Sequence, residues 1–372
     1  MAGPLPIVLD GGAGEGGGQI LRTALALSAI TGTPFGVQRV RANRLKPGLR
    51  PQHREAALAA ARLCRAAVEG AEVGSSRLEF RPGERASPGE YTFDIATAGS
   101  TPLLFQTLCW PLALAGGSSR LTLRGGTHQD HAPSFHYLAL VWSPAVARLG
   151  FKVELELRAA GFYPEGGGEF TADVQPAHSM PPLDLRTRGT LQETDVLSTV
   201  AGLPFPVAER QAARAVKRLR DLGIAAEAQC LPLPARISRG SHLLVVSRFE
   251  RSRAGHGALG EKGKPAETVA DEAVGAVAAF LARGAAVDAH LGDQLLLPAA
   301  ILAAGLVPAP PGIVPVTRYT VSAVTPHLTT NADVIRRFLD VEVAVLGREG
   351  EEGEVRVQPR GASTQVVPLP GR

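Results

Sequence analysis

Aromatic residues are scarce in this chain: 12 Phe, 4 Tyr and 2 Trp among 372 residues. A hydrophobic core therefore has to be built mostly from Leu, Val, Ile and Ala. Cysteine is scarcer still. Cys64, Cys109 and Cys230 are odd in number, widely spaced and form no CxxC pair, which speaks against a disulfide framework or a structural zinc–thiolate site and for a reducing compartment. Cys64 and Cys109 sit among apolar neighbours and read as small core residues. The first ten residues lack the basic start and apolar run of a signal peptide. One stretch, 295–316, carries no charge, but Pro298, Pro308, Pro310, Pro311 and Pro315 break it into a short helix and an extended segment rather than a membrane span. The expectation is a soluble, cytoplasmic protein with no membrane partner.

What is present is apolar enough to fold. Hydrophobic residues make up 45% and charged residues 20% of the chain, and mean hydropathy is +0.06, which excludes a disordered chain and leaves material for a sizeable core. The length suits two or three units. The 42 Gly and 29 Pro stay below low-complexity levels and fit many short elements joined by tight turns. The net charge is only +4, yet residues 19–54 hold Arg22, Arg39, Arg41, Arg44, Lys46, Arg50 and Arg54 and no Asp or Glu. Such a one-sign window favours an anionic partner such as phosphate, nucleotide or nucleic acid over a merely solvated basic face.

The organisation is strand, glycine turn, helix, used more than once. A strand at 6–9 is followed by a glycine turn and a helix over 19–31 that stops at Gly32. Further helices are predicted at 52–68, 101–115, after Pro133 to 149, and at 293–304 and 332–339. Strands are predicted at 35–40, 77–80, 91–95, 120–123, 152–157 and 169–174. Glu15-Gly-Gly-Gly recurs at Glu165-Gly-Gly-Gly, which reads with the αβ rhythm as a weak sign of repeated α+β units. The texture changes near residue 187. Residues 187–282 read as a separate inserted α/β domain, with polar strands, helices at 208–222 and 266–283, a strand at 243–249 and a flexible Arg/Gly stretch at 251–264. Residues 1–186 and 283–372 would form the main domain.

Five constellations could carry chemistry. The loop from Asp10 to Arg22 is glycine-rich and opens a helix, so its backbone N–H groups could hold an anion. It lacks the Lys-Ser/Thr ending of a P-loop. Glu15 beside a phosphate would make sense by holding Mg²⁺, with Gln19 and Arg22 pointing the same way. Otherwise the loop is a structural turn. The second, Arg41 to His53, sets arginine forks on a rigid Pro/Gly loop suited to phosphate oxygens. The third offers His128, Asp130, His131 and His136. These could ligate a metal, but Pro133 breaks the run and no helical i,i+4 pair joins His128 to His131, so contact with a ligand ring or simple packing is the expected role. The fourth places Asp293 and Gln294 at the start of an apolar helix, where capping by Asp293 is the plain alternative. In the fifth, His327 lies just before a helix capped by Thr330 or Asn331. The positive pole of that helix would help keep the imidazole neutral, as a nucleophile must be.

Together these segments resemble the RNA 3′-terminal phosphate cyclase family. The matching pieces are GAGEGGGQILR, RANRLKPGLRPQH, GSTPLLFQTL, GGTHQDHAP, GFYPEGGG, GEKGKPAE, HLGDQLLLP and TPHLTTNADVIRRFL, in the family's order over residues 12–339. The resemblance implies an α+β fold of repeated βαβαββ-type units, as in the enolpyruvyl transferase-like folds, with a small inserted α/β domain. It implies ATP and Mg²⁺ (or Mn²⁺) as cofactors and RNA bearing a 3′-phosphate as partner. A homodimer is left open. It further implies that His327 takes AMP from ATP, passes it to the RNA 3′-phosphate, and that the 2′-OH closes a 2′,3′-cyclic phosphate. By matching position, His327 is the nucleophile and Glu15 the metal and phosphate residue. Arg22, Arg41, Arg44 and Gln52 are phosphate or RNA-end contacts, and Gln106 and Asp293 are further active-site positions, with Gln294 adjacent; Gln19 joins the ATP- and phosphate-binding set from the glycine-loop reading. Pro133 packs on adenine, and His290 stands where many members have a Tyr covering its other face. A non-catalytic, cyclase-like RNA-binding assembly factor is the competing reading. That relative lacks the nucleophile, so His327 argues against it. An enolpyruvyl transferase is disfavoured because its substrate motifs are absent. Arg236, Arg239, Arg251 and Arg253 make RNA positioning the expected job of the insert.

Overall fold

The structure is a computed structural model and describes residues 6–361. The chain begins with β1 (Ile7–Asp10), α1 (Gln19–Thr31), β2 (Phe35–Gln38), α2 (Pro51–Cys64), β3 (Ala67–Glu69) and β4 (Leu78–Arg81). These form one βαβαββ unit with strand order β1-β2-β4-β3. The second unit is β5 (Glu90–Asp94), α3 (Thr101–Ala113), β6 (Ser119–Gly125), α4 (Phe135–Tyr137), a π-helical segment (Leu138–Trp142), α5 (Ser143–Ala147), β7 (Val153–Ala159) and β8 (Gly168–Val174). Its order, β5-β6-β8-β7, repeats the first. In both, the first two strands are parallel, as a helical crossover requires, and the hairpin strands are antiparallel.

A short strand β9 (Asp184–Leu185) opens the third unit and is interrupted at once. β10 (Leu191–Ala201), α6 (Pro206–Asp221), β11 (Glu227–Pro232), β12 (Gly240–Phe249), β13 (Arg253–Leu259) and α7 (Ala266–Leu281) form a separate sheet of order β11-β10-β12-β13. The third unit then resumes with α8 (Ala289–Gln294), α9 (Leu296–Ala303), β14 (Thr317–Val321), α10 (Pro326–Phe338), β15 (Val341–Leu346) and β16 (Gly353–Pro359), in the order β9-β14-β16-β15. The repeated α+β architecture is therefore threefold, with a fourth sheet set into the first crossover of the last unit. The chain ends at 1–5 and 362–372 lie outside the described residues.

Helices from all three units share one core. α1 packs on α2, α3 and α10, and its Leu25, Leu27 and Ala24 are fully buried. The few large rings concentrate in the second unit. There Trp142 meets Phe105 and Trp110 edge-on at 5.6 and 6.0 Å, and truncating such a ring costs about 3–5 kcal/mol. A second apolar cluster, with Leu219, Leu243, Val245 and Val274, lies under α6 and α7. β12 serves both cores by alternation. Leu243 and Val245 face α6 and α7, whereas Leu244 and Val246 face the main core. His242 shares their parity and faces the same way.

Several sequence-based expectations are corrected. The helix predicted to reach Val68 ends at Cys64, because Arg65 turns left-handed (φ 49) and Val68 pairs with Phe80 in a hairpin. The stretch 251–264 is not a flexible segment. Half of it is β13, paired antiparallel with β12. Its glycines permit close approach: a Cβ at Gly255 would lie 2.7 Å from Val141 Cγ2. The helix predicted over 293–304 is two helices. Asp288 caps α8, and Asp293 belongs to its last turn rather than to an N-cap. The cap of α10 is Thr325, whose side chain accepts from the Leu328 N–H at 3.1 Å. α10 therefore starts at Pro326, and His327 lies within its first turn, not before it. Finally, the Glu-Gly-Gly-Gly echo does not mark equivalent positions: Glu15 follows the first strand of its unit, whereas Glu165 lies between the last two strands of its own. The repeat resides in strand order, not in that motif.

Candidate active site

The glycine loop between β1 and α1 folds against the start of α10. Gly14 has φ +54, and a Cβ there would collide with Thr330 Oγ1, so only glycine fits the position. The Glu15 N–H donates to that hydroxyl at 3.2 Å, and Asn43 Nδ2 donates to Gly12 O at 2.7 Å. These bonds aim the Glu15 carboxylate between Arg44, with which it is ion-paired, and His327, whose Nε2 lies 3.6 Å from Oε1. Gly18 precedes α1 without a side-chain cap. A Cβ there would come within 2.6 Å of Arg22 Nη1, so its absence makes room for the guanidinium at the open helix N-terminus, where backbone N–H groups attract anions.

A cleft of about 510 Å³ opens beside this loop, lined by Gln19, Arg22, Gln106, Pro133, His290, Asp293, Gln294 and His327. They arrive from α1, α3, the β6–α4 loop, α8 and α10. A continuous hydrogen-bond chain runs beneath it. Arg22 Nη2 donates to Gln19 Oε1 at 2.8 Å, Gln19 Nε2 to Thr23 Oγ1 at 3.2 Å, Thr23 Oγ1 to Asn331 Oδ1 at 2.7 Å, and Asn331 Nδ2 to Asp293 Oδ1 at 2.8 Å. The chain starts on a cation, ends on a carboxylate and locks three helices in register.

Burial dominates the electrostatics. It lowers Arg22 to about 10 despite the attraction of Asp293, and raises Asp293 to about 6 despite the hydrogen bond from Asn331 and the charge of Arg22. Both shifts run toward the neutral forms, so Asp293 and Arg22 compensate one another incompletely. Among the described residues no carboxylate lies within ion-pair distance of Arg22. The half-exposed His327 imidazole is lowered to about 4 by partial desolvation first, then by Arg22, Arg44 and His290, so it is neutral at pH 7. Among the described residues, Glu15 Oε2 beside the cleft and Gln106 Nε2, Gln294 Oε1, His242 Nδ1 and His256 Nδ1 along it are buried without a hydrogen-bond partner. Orphaned polar atoms are rare in folded proteins and are expected where a ligand completes the set.

The other sequence-predicted residues stand at the margin. Arg44 is held by Glu15. Arg41 donates to Lys46 O and Gly48 O at 2.7 and 3.2 Å, bracing the basic loop. Gln52 Oε1 accepts from the Ser100 N–H at 3.1 Å, tying α2 to the start of α3. None of the three lines the cleft. Sequence reasoning missed Thr23, Asn43 and His53, and read Thr330 and Asn331 only as caps. His53 Nδ1 accepts from the Arg50 N–H at 3.1 Å, and burial plus the charges of Arg22, Arg41 and Arg50 holds it near 3. Three of the insert's arginines are engaged by the main body: Arg236 with Glu169 at 3.0 Å, Arg251 with Asp184 O at 3.4 Å, and Arg253 with Leu140 O at 3.4 Å. Arg239 is exposed.

The family model for RNA 3′-terminal phosphate cyclase matches residues 13–345. The chain belongs to the RNA 3′-terminal phosphate cyclase family. A protein of that name from Methylococcus capsulatus is 44% identical over 356 residues, which is 94% of this chain and 95% of the relative. Namesakes from Methanopyrus kandleri and Salmonella enteritidis are 40% and 42% identical, over 95% and 90% of this chain and 99% and 94% of their own lengths. A solved enolpyruvyl transferase, NikO from Streptomyces tendae, overlaps at a TM-score of 0.24 and 12% identity, over 57% of this chain and 38% of its own. That overlap is too slight to bear on the fold. Membership in the cyclase family supports an RNA cyclase enzyme and implies ATP and RNA as its ligands. Among the described residues no helix is long and apolar enough to cross a membrane.

Proposed function

We propose that this protein is a cytoplasmic, ATP-dependent RNA 3′-terminal phosphate cyclase that works through a covalent histidine–AMP intermediate. The observation that carries the reading is the company His327 keeps in the cleft. A neutral imidazole, it stands beside Glu15 and lines the cleft together with Arg22 and the Gln106 and Gln294 amides, each with an unpartnered buried atom. His327 attacks the α-phosphorus of ATP, and the α–β phosphoanhydride bond breaks to release pyrophosphate. A terminal RNA 3′-phosphate oxygen then attacks the AMP phosphorus, and the P–N bond to His327 breaks. Last, the vicinal 2′-OH loses its proton and attacks the RNA phosphorus, expelling AMP and leaving the 2′,3′-cyclic phosphate. Imidazole both attacks and leaves well, which splits one hard displacement into easier ones. The vicinal hydroxyl is already placed for closure.

In this reading Arg22, Arg41 and Arg44 hold phosphate oxygens, with Gln19, Gln52, Gln106, Asp293 and Gln294 completing the polar set. Pro133 and His290 flank the adenine. Glu15 Oε2, buried and unpartnered, fits Mg²⁺ or Mn²⁺, which take hard oxygen donors and keep several waters. When bound there, the ion offsets phosphate charge. Residues 187–282 serve as a distinct inserted domain. The test offers RNA ending in a 3′-phosphate together with ATP and Mg²⁺. Cyclic ends resistant to phosphatase, formed with one AMP and one pyrophosphate each and absent in His327→Ala, are the expected result. RNA binding without any cyclic product in the wild type refutes the reading in favour of a non-catalytic RNA-binding role.

A further inference from the structure

A second cluster of imidazoles lies beside the cleft and has no part in the chemistry above. His128 and His136 come from the β6–α4 loop and the start of α4, and His242 comes from β12 of the fourth sheet. All three are buried, at 0%, 9% and 3% exposure. One ring nitrogen from each lies within 4.8 Å of the other two. The other two histidine-motif residues, Asp130 and His131, are exposed and stand apart. The third member is supplied across 106 residues of chain, which is why spacing could not reveal it.

The cluster is unevenly satisfied. His128 Nδ1 lies 2.8 Å from Thr127 Oγ1, and His128 Nε2 lies 2.8 Å from His136 Nδ1. His242 Nδ1 is buried with no hydrogen-bond partner among the described residues. A core that needed only packing would place an apolar side chain there, since an unpaired buried polar atom costs about 1–3 kcal/mol. The geometry points to His128, His136 and His242 as a buried site for one divalent transition-metal ion of the zinc type, bound by imidazole nitrogens alone and tying the Pro133 loop to β12. Three imidazoles suit Zn²⁺, Co²⁺, Ni²⁺ or Cu²⁺ and not Mg²⁺, which prefers oxygen. Tetrahedral bonds of about 2.1 Å set donors about 3.4 Å apart. The close His128–His136 pair opens by about 0.6 Å, and His242 closes in.

The surroundings favour ligation. Thr127 holds the far nitrogen of His128, as outer partners of metal-bound histidines do, and its own Oγ1 accepts from the Gly161 N–H at 2.9 Å. The Phe162 ring lies nearly parallel to His128, 5.0 Å away, and fixes its plane. His242 lines the cleft, so a water from there can take the fourth position. Burial holds His136 near 4 and His242 near 3, so protons do not compete for the lone pairs at pH 7. Pro133 falls between His128 and His136 in sequence, so an ion here fixes the loop that Pro133 presents to the cleft.

The test titrates chelator-treated, untagged protein with Zn²⁺ and separately with Co²⁺, in excess Mg²⁺. Metal bound per chain, the visible spectrum of the Co²⁺ form and the melting temperature are read. One equivalent bound, an intense tetrahedral Co²⁺ band and a raised melting temperature are expected. His242→Asn and His136→Asn should each lower affinity at least tenfold, while His327→Asn retains it. The wild-type Co²⁺ spectrum decides the matter even if a variant folds poorly. Absence of stoichiometric binding by the wild type, an octahedral spectrum, or equal binding by His242→Asn overturns the proposal. So does loss of binding in His327→Asn, which would put the ion in the cleft.

Discussion

Replacing Asp293 by Asn should stabilise the ligand-free protein while damaging its function. The carboxylate is partly buried at the cleft wall, and desolvation raises it from 3.8 to about 6 even though Asn331 donates to it and Arg22 attracts it. The folded protein thus holds this proton more tightly than the unfolded chain. The residue's favourable contribution to folding is complete below about pH 4 and is lost as pH rises through about 6. At pH 7.5 the ionised form opposes folding by about 3 kcal/mol, a rise of about two pH units at about 1.4 kcal/mol each. Asn keeps the oxygen that accepts from Asn331 Nδ2, but adds an amide donor whose burial without a partner costs about 1 kcal/mol. The net gain is about 2 kcal/mol, or about 2–4 °C in melting temperature for a chain of this size. Urea unfolding of both proteins at pH 7.5 and pH 4.5 measures it. The variant should be more stable at pH 7.5, the gap should shrink toward zero at pH 4.5, and transfer of AMP should fall at least tenfold. A variant destabilised at pH 7.5, or a gap that ignores pH, refutes the reasoning.

Gly14→Ala should cost about 2–3 kcal/mol and cut AMP transfer sharply, because it meets both the positive φ and Thr330 Oγ1. Pairing it with Thr330→Ala should recover the steric part only, as a double-mutant unfolding cycle would measure. His327, held near 4, should show no titration step between pH 5.5 and 7.5 by NMR of labelled histidine, whereas an ordinary imidazole would become about nine-tenths protonated over that range. A step near 6.5 contradicts its assigned surroundings. Because the unfolded chain protonates buried His53, His136 and His242 from about pH 6.5 downward while the folded chain resists until about 3–4, stability present above pH 6.5 should be lost progressively on acidification. His53→Gln should flatten that slope by about 1 kcal/mol per pH unit near pH 5.5, read from urea midpoints.

The parts of this fold that sequence made legible are those with local punctuation. Gly32 ends α1 in the left-handed conformation (φ 73), and the apolar spacing before it is unmistakably helical. Strands with alternating burial, such as β8, were equally readable. The third unit was obscured for a physical reason. Its first strand is only two residues long, and a whole sheet intervenes before the unit resumes, so its periodicity has no continuous window. β13 looked flexible because its glycines serve close packing rather than turning. In the candidate site, each motif was visible alone, but the bonds that join them span the chain. Glu15 meets Thr330 across 315 residues and Thr23 meets Asn331 across 308. No local pattern could show that Asn331 secures Asp293, nor that His242 reaches His128.

The central claim is that His327 carries AMP, and the most direct measurement is incubation with Mg²⁺ and ATP labelled at the α-phosphate, followed by denaturing electrophoresis. The account predicts a labelled protein that is stable to alkali, labile to acid, absent in His327→Ala and chased by RNA bearing a 3′-phosphate. Unlabelled wild-type protein that nonetheless binds ATP and RNA, or label undiminished in His327→Ala, would contradict it.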